Sequence, residues 1–207
     1  MNLVLQLNTL LEVRDRSEAL IDPLELEDLG LQGMADASPP KWHLAHTNWF
    51  FETFLLQPHL KGHEPCNPLW AYQFNSYYDS VGDRHPRPQR GLLSRPTVKE
   101  ILRWRSRVND GLEQLLQAPD ETCLQLLELG LQHEQQHQEL LLMDLLDGFS
   151  RQPLEPCYHR EADLSIQTAS DGWLSCDEGL VSIGHRETGF HFCLLYTSPS
   201  PRDLSTA

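Results

Sequence analysis

Apolar residues between positions 3 and 20 recur at helical spacing (Leu3, Leu7, Leu10, Leu11, Leu20). They predict an amphipathic helix that ends before Asp22-Pro23, a helix-breaking pair. A connector with Gly30, Gly33 and several acidic residues runs from Asp22 to Ala37. Ser38-Pro39-Pro40 then predicts a helix start, with Ser38 as N-cap and proline in the first helical positions. The helix that follows, KWHLAHTNWFFETFLL, places Trp42, His46, Trp49 and Phe50 on one stripe, a face expected to be buried. Residues 57–96 lose the period and carry nine prolines and glycines, from Pro58 to Pro96, which predicts a long irregular connection. Its aromatics (Trp70, Tyr72, Phe74, Tyr77, Tyr78) argue for a functional loop over a disordered one. Thr97-Val98-Lys99-Glu100 is a capping box. It opens a helix to about Leu116, with Val98, Ile101, Leu102, Val108, Leu112, Leu115 and Leu116 as core candidates. After Pro119-Asp120, a last helix is expected from near Glu121 to Gly148, read as a C′ glycine. Four helices with one long crossover predict a mainly α chain built on a four-helix bundle, residues 1–150.

Beyond Phe149 the pattern changes. Residues 151–192 carry Pro153 and Pro156 and then short apolar runs around Trp173, Gly179–Gly184 and Gly189–Phe192. They read as a linker and the first strands of a separate β-containing domain, and about forty residues are too few to complete one. Cys193 to Asp203, CLLYTSPSPRD, resembles the read-through translation of a sequencing-library adapter. Residues 193–207 are therefore set aside as an artefact tail, and the natural reading frame is expected to continue past Phe192.

Composition narrows the function. A net charge of −14 over 207 residues argues against a nucleic-acid partner, which needs a basic surface. No apolar run reaches membrane-spanning length, and the N-terminus lacks the basic start and cleavage site of a signal peptide. Five cysteines without CxxC spacing fit reduced thiols in the cytoplasm, leaving the ten histidines as the better source of metal ligands.

The candidate chemistry lies in Leu126–Asp147, LLELGLQHEQQHQELLLMDLLD. His133 and His137 stand four apart, so on a helix their Cβ atoms are ~5–6 Å apart on one face. Leu126, Leu129, Gly130 and Leu140 fall near that face, so the pair is expected to be buried and to need a partner, which a metal ion supplies. His46, centred in its aromatic stripe, is a natural third ligand. His43 competes with it, and spacing alone leaves that choice open. Arg87 and Arg90, in a basic part of an acidic chain, are suited to binding carboxylates bidentately. HEQQH is also literally HExxH, which raises a zinc protease with Glu134 as general base. Helical projection leaves Glu134 and Gln136 equally placed, and no downstream HxxGxxH follows.

Three segments in order, SPPKWHLAHTNWFFETFLL, FNSYYDSVGDRHPRPQRGLLSRPTVKEI and LGLQHEQQHQELLLMDLL, resemble the EgtB-type sulfoxide synthases of ergothioneine biosynthesis (hercynine oxygenases). The similarity runs from about Leu10 to Asp147. GLVSIGH…GFHF looks like the start of the family's C-terminal domain, of the formylglycine-generating-enzyme type with a C-type-lectin-like α+β fold. The resemblance implies a DinB-like bundle and an Fe(2+) cofactor held by His46, His133 and His137. It also implies an O2-dependent reaction joining the sulfur of a cysteine-type thiol, γ-glutamylcysteine or cysteine, to the imidazole C2 of hercynine. Gln136 matches a position that contacts the imidazole substrate, and Arg87 and Arg90 match arginines that hold the thiol's carboxylates. The family's catalytic tyrosine lies beyond Phe192, so no catalytic residue is expected in this stretch and little turnover from it alone. Three imidazoles on one face of octahedral Fe(II) leave open positions for thiolate, O2 and imidazole. The alternatives are a DinB-like thiol transferase or hydrolase using zinc or nickel, a selenoneine- or ovothiol-type synthase, and a metal-binding module without catalysis.

Overall fold

A computed structural model describes residues 3–76 and 82–159, together with the isolated positions 172, 173, 175, 179 and 190. The chain divides into two units, Met1–Glu161 and Ala162–Ala207. Nearly all of the second unit lies outside the described residues, and with it the expected strands and the tail 193–207.

The first unit contains α1 (Leu3–Ala19), α2 (Pro40–Phe51), α3 (Gln57–His59), α4 (Trp70–Phe74), α5 (Val98–Leu115) and α6 (Glu121–Ser150). Two 3-10 turns, Asp28–Gly30 and Arg87–Leu92, lie between them, and no strand occurs among the described residues. A π-helical stretch, Glu52–Leu56, carries α2 directly into α3, so the aromatic-rich helix runs unbroken to His59. The bundle forms from α1, α2, α5 and α6: α2 packs against α5 and α6, and α1 against α6.

The core follows the apolar stripes. Trp42, Trp49, Phe50, Phe51, Leu55 and Leu56 interlock with Ile101, Trp104, Val108 and Leu112 of α5 and with Leu127 and Leu141 of α6. Removing that apolar area from water is the main favourable contribution to folding. The connection over 57–96 is folded onto the bundle by its aromatics, with the Trp70 ring centred 4.8 Å from Trp104 and Phe74 buried beside it. Tyr77 and Tyr78 lie outside the described residues.

Two helix N-termini are capped by side chains, the first as expected. Thr97 Oγ1 accepts from the Glu100 N–H at 3.3 Å while the Glu100 carboxylate accepts from the Thr97 N–H at 2.8 Å, a complete capping box. Asp120 caps α6 by accepting from the Cys123 N–H at 2.7 Å.

Two termini differ from expectation. Pro39, not Ser38, is the N-cap of α2, and no side chain caps that end. Ser38 is held in tertiary bonds instead: its N–H donates to Asp144 at 2.7 Å and its hydroxyl accepts from Arg90 at 2.8 Å. Helix α6 also runs past Gly148 to Ser150. A Cβ on Gly148 would lie 2.6 Å from a Leu31 methyl, so this glycine permits a close approach of the connector and does not end the helix.

Candidate metal centre

Helices α2 and α6 face each other along their length and carry the three histidines of interest on their inner faces. The bundle brings them together: one ligand nitrogen from each of His46, His133 and His137 lies within 4.8 Å of the other two. The ring centroids form a nearly equilateral triangle, 4.9 Å from His46 to His133, 4.5 Å from His46 to His137 and 4.6 Å from His133 to His137. His46 is sandwiched between Trp42, stacked at 4.7 Å, and Trp49, stacked at 5.4 Å. Arg90 continues the column, its guanidinium 3.5 Å from the Trp42 ring centre. The stripe seen in the sequence is thus the wall that fixes one imidazole plane.

Hydrogen bonds define which nitrogens face inward. The Phe74 carbonyl lies 2.6 Å from His46 Nδ1, so that nitrogen carries the proton and Nε2 keeps its lone pair. His46 Nε2 stands 3.2 Å from His133 Nε2. Burial pushes all three imidazoles to pKa values below the ordinary one, His133 to about 4, and for His46 and His137 the neighbouring imidazoles add to the effect. The rings are therefore neutral at pH 7, the form in which imidazole binds metal.

These residues fit a metal ion. Bonds of about 2.0–2.1 Å to a common centre put imidazole nitrogens about 2.8–3.0 Å apart in facial octahedral and about 3.3–3.4 Å apart in tetrahedral arrangement, and the His46–His133 separation of 3.2 Å lies between the two. Among the described residues His133 Nδ1 is buried with no hydrogen-bond partner. If Nδ1 carries the proton, the two Nε2 lone pairs face each other, and a shared cation relieves their repulsion.

Glu134, between the two α6 histidines in sequence, is committed elsewhere. Its Oε2 accepts from Arg14 at 2.9 Å, and its Oε1 accepts from Ser17 at 2.6 Å and from Arg105. Burial works against its charge, but Arg105 and Arg14 outweigh burial and hold its pKa below the usual carboxylate range. With both oxygens engaged in a buried ion network, Glu134 serves as counter-charge to Arg14 and Arg105, which argues against the general-base role of HExxH. The network was missed in the sequence, though a sign of it is present: Arg14 and Arg105 stand at apolar-stripe positions beside Leu10 and Ile101 and are fully buried. A charge on the inner face of a helix calls for an internal counter-charge.

Gln136 is half-buried, one residue before His137. Arg90 is buried and donates to the Ser38 and Ser76 hydroxyls at 2.8 and 3.2 Å. Its charge helps to hold the pKa values of His43, His46 and His137 down, which places it electrostatically at the centre. Arg87, at the start of the 3-10 turn, donates to the Asp36 carbonyl at 3.2 Å. His43 is not among the three converging residues. A second grouping, His59, Asp120 and Cys123, also brings ligand atoms within 4.8 Å, but Asp120 serves as a helix cap and burial pushes the Cys123 thiol up.

No helix among the described residues is long and apolar enough to cross a membrane. The sequence profile of the DinB superfamily matches residues 9–141, the span that holds all three histidines. No curated protein matches the chain significantly.

Proposed function

We propose, starting from the fact that this chain belongs to the DinB superfamily, that it is a non-heme iron(II)- and O2-dependent sulfoxide synthase. The reaction joins the sulfur of a cysteine-type thiol, γ-glutamylcysteine or cysteine, to the imidazole C2 of hercynine, in ergothioneine biosynthesis. The observation that carries the reading is the donor set. Three neutral imidazoles converge with no carboxylate or thiolate in the group, which suits a centre that must leave positions open for substrates. The three sequence segments that resemble the sulfoxide synthases supply the substrate class.

When bound, iron supplies a site where thiolate and O2 meet and exchange electrons. The chain's own residues do the rest. His46, His133 and His137 hold the ion, and the tryptophans on either side of His46 fix its ring plane and exclude water. Arg90, and Arg87 beside it in sequence, bind the carboxylates of the thiol substrate. Gln136 contacts the imidazole of hercynine and orients C2 toward the sulfur, which makes bond formation effectively unimolecular.

The test uses the cobalt-loaded chain, titrated anaerobically with γ-glutamylcysteine and then hercynine. The expected result is a thiolate-to-metal absorption band that depends on loading and sharpens when hercynine is added. Absence of that band, together with thioester or peptide cleavage by the zinc-loaded chain, overturns the reading in favour of a metal-dependent thiol transferase or hydrolase.

A further inference from the structure

The histidine that competes with His46 in the sequence has its own place in the bundle. His43 lies on α2, is 3% exposed, and touches two residues of α6. Its Nδ1 is 2.9 Å from His137 Nδ1, and its Nε2 is 3.1 Å from Asp144 Oδ2. That same Asp144 oxygen accepts the Ser38 N–H at 2.7 Å. Asp144 follows His137 by seven residues, two turns along one face of α6.

The proton positions follow from what each atom is able to do. A carboxylate oxygen accepts, so the His43 nitrogen facing it, Nε2, is the one that donates. His43 is buried between a carboxylate on one side and a second imidazole on the other, and one N–H with one lone pair satisfies both contacts, so the ring carries a single N–H. Its Nδ1 is then a lone pair, and the atom 2.9 Å away must donate: His137 carries its proton on Nδ1. One nitrogen's hydrogen bond thereby decides which nitrogen is left for metal.

We propose that Asp144 and His43 are positioning residues that fix His137 as its Nδ1–H tautomer and present its Nε2 to the metal. The inference rests on His137 being a ligand, as in the function proposed above. The relay parallels the Phe74 carbonyl on His46, with a second imidazole inserted between carboxylate and ligand. Metal-binding histidines ordinarily donate their other N–H to a carboxylate or carbonyl, and loss of such a partner weakens metal binding about 10–100-fold. Because the relay spans the same two helices as the ligands, it also sets their spacing.

The test reads tautomer and affinity separately, on the full chain. In metal-free protein labelled with 15N-histidine, two-bond correlation spectra are expected to show His137 with a pyrrole-type Nδ1 and a pyridine-type Nε2. His43→Phe, which keeps a ring in the space, should abolish that single tautomer and weaken Co(II) binding about 10–100-fold. Asp144→Leu should do the same in a chain whose His43 is intact. A pyrrole-type Nε2 on His137 in the unsubstituted chain overturns the relay, as does an unchanged spectrum and Co(II) affinity in His43→Phe. If the unsubstituted chain binds no metal, the metal reading fails while the tautomer spectrum still decides the relay.

Discussion

A single buried carboxylate, Glu134, shows how local chemistry separates readings that share a motif. It sits between two histidines in a protease-like pattern, yet Arg14, Ser17 and Arg105 take up both of its oxygens. Its role is to neutralise two guanidiniums inside the bundle, and burial lowers the Arg14 pKa to about 9 even with that partner. Glu134→Gln leaves Arg14 without its paired carboxylate and Arg105 with only the half-exposed Glu18, 3.2 Å away. The expected cost is about 3–5 kcal/mol, read by chemical denaturation, with metal stoichiometry unchanged. A variant of normal stability that loses metal would return Glu134 to the metal site. The histidines make a second prediction. His133 has a folded pKa of about 4, below the ordinary 6.5. In metal-free protein the unfolded chain therefore binds the proton first as the pH falls. Stability is full above about pH 6.5 and declines progressively toward about pH 4. Thermal melts in chelator at stepped pH check this; a midpoint unchanged between pH 7 and 5 would contradict it.

At the scale of elements, the histidine helix owes its position to what it lacks. A Cβ at Gly130 would lie 2.4 Å from the Phe51 ring, so glycine lets α6 approach α2 closely one turn before His133. Gly130→Ala is expected to cost about 1–3 kcal/mol by overpacking and to weaken metal binding in parallel, because the helices part where the ligands face each other. Calorimetry and a metal titration on the same variant check it; unchanged values for both would show that the approach is not tight. The periods of α1, α2, α5 and α6 and the Thr97–Glu100 capping box of α5 were legible in the sequence, because amphipathic stripes and capping boxes are local signals. Ser38 and Gly148 were misread because their roles are tertiary. A serine before two prolines reads as a cap until Asp144 and Arg90 are known to claim it, and a glycine near a helix end reads as a stop until Leu31 is seen against it.

Over the whole molecule, the bundle collects residues about ninety positions apart into one centre. The sequence held the pieces: an i, i+4 pair near an apolar face, and a histidine in an aromatic stripe. Periodicity could not choose between His43 and His46, since both lie on buried parts of α2. The choice depends on how α2 is rotated against α6. That rotation turns His46 to the trio and His43 to Asp144, and no local pattern encodes it. The ion network of Arg14, Glu134 and Arg105 was missed for the same reason: its members come from three helices, and the apolar-stripe positions of the two arginines do not say which carboxylate they meet. The proposed chemistry requires that His46, His133 and His137 hold one metal ion. Its most direct test is metal content after anaerobic loading with Fe(II) and desalting, in the unsubstituted chain and in His46→Ala, His133→Ala and His137→Ala. One ion per chain is expected in the first and loss of stoichiometric metal in each of the three variants. Full metal retention in His46→Ala would contradict it.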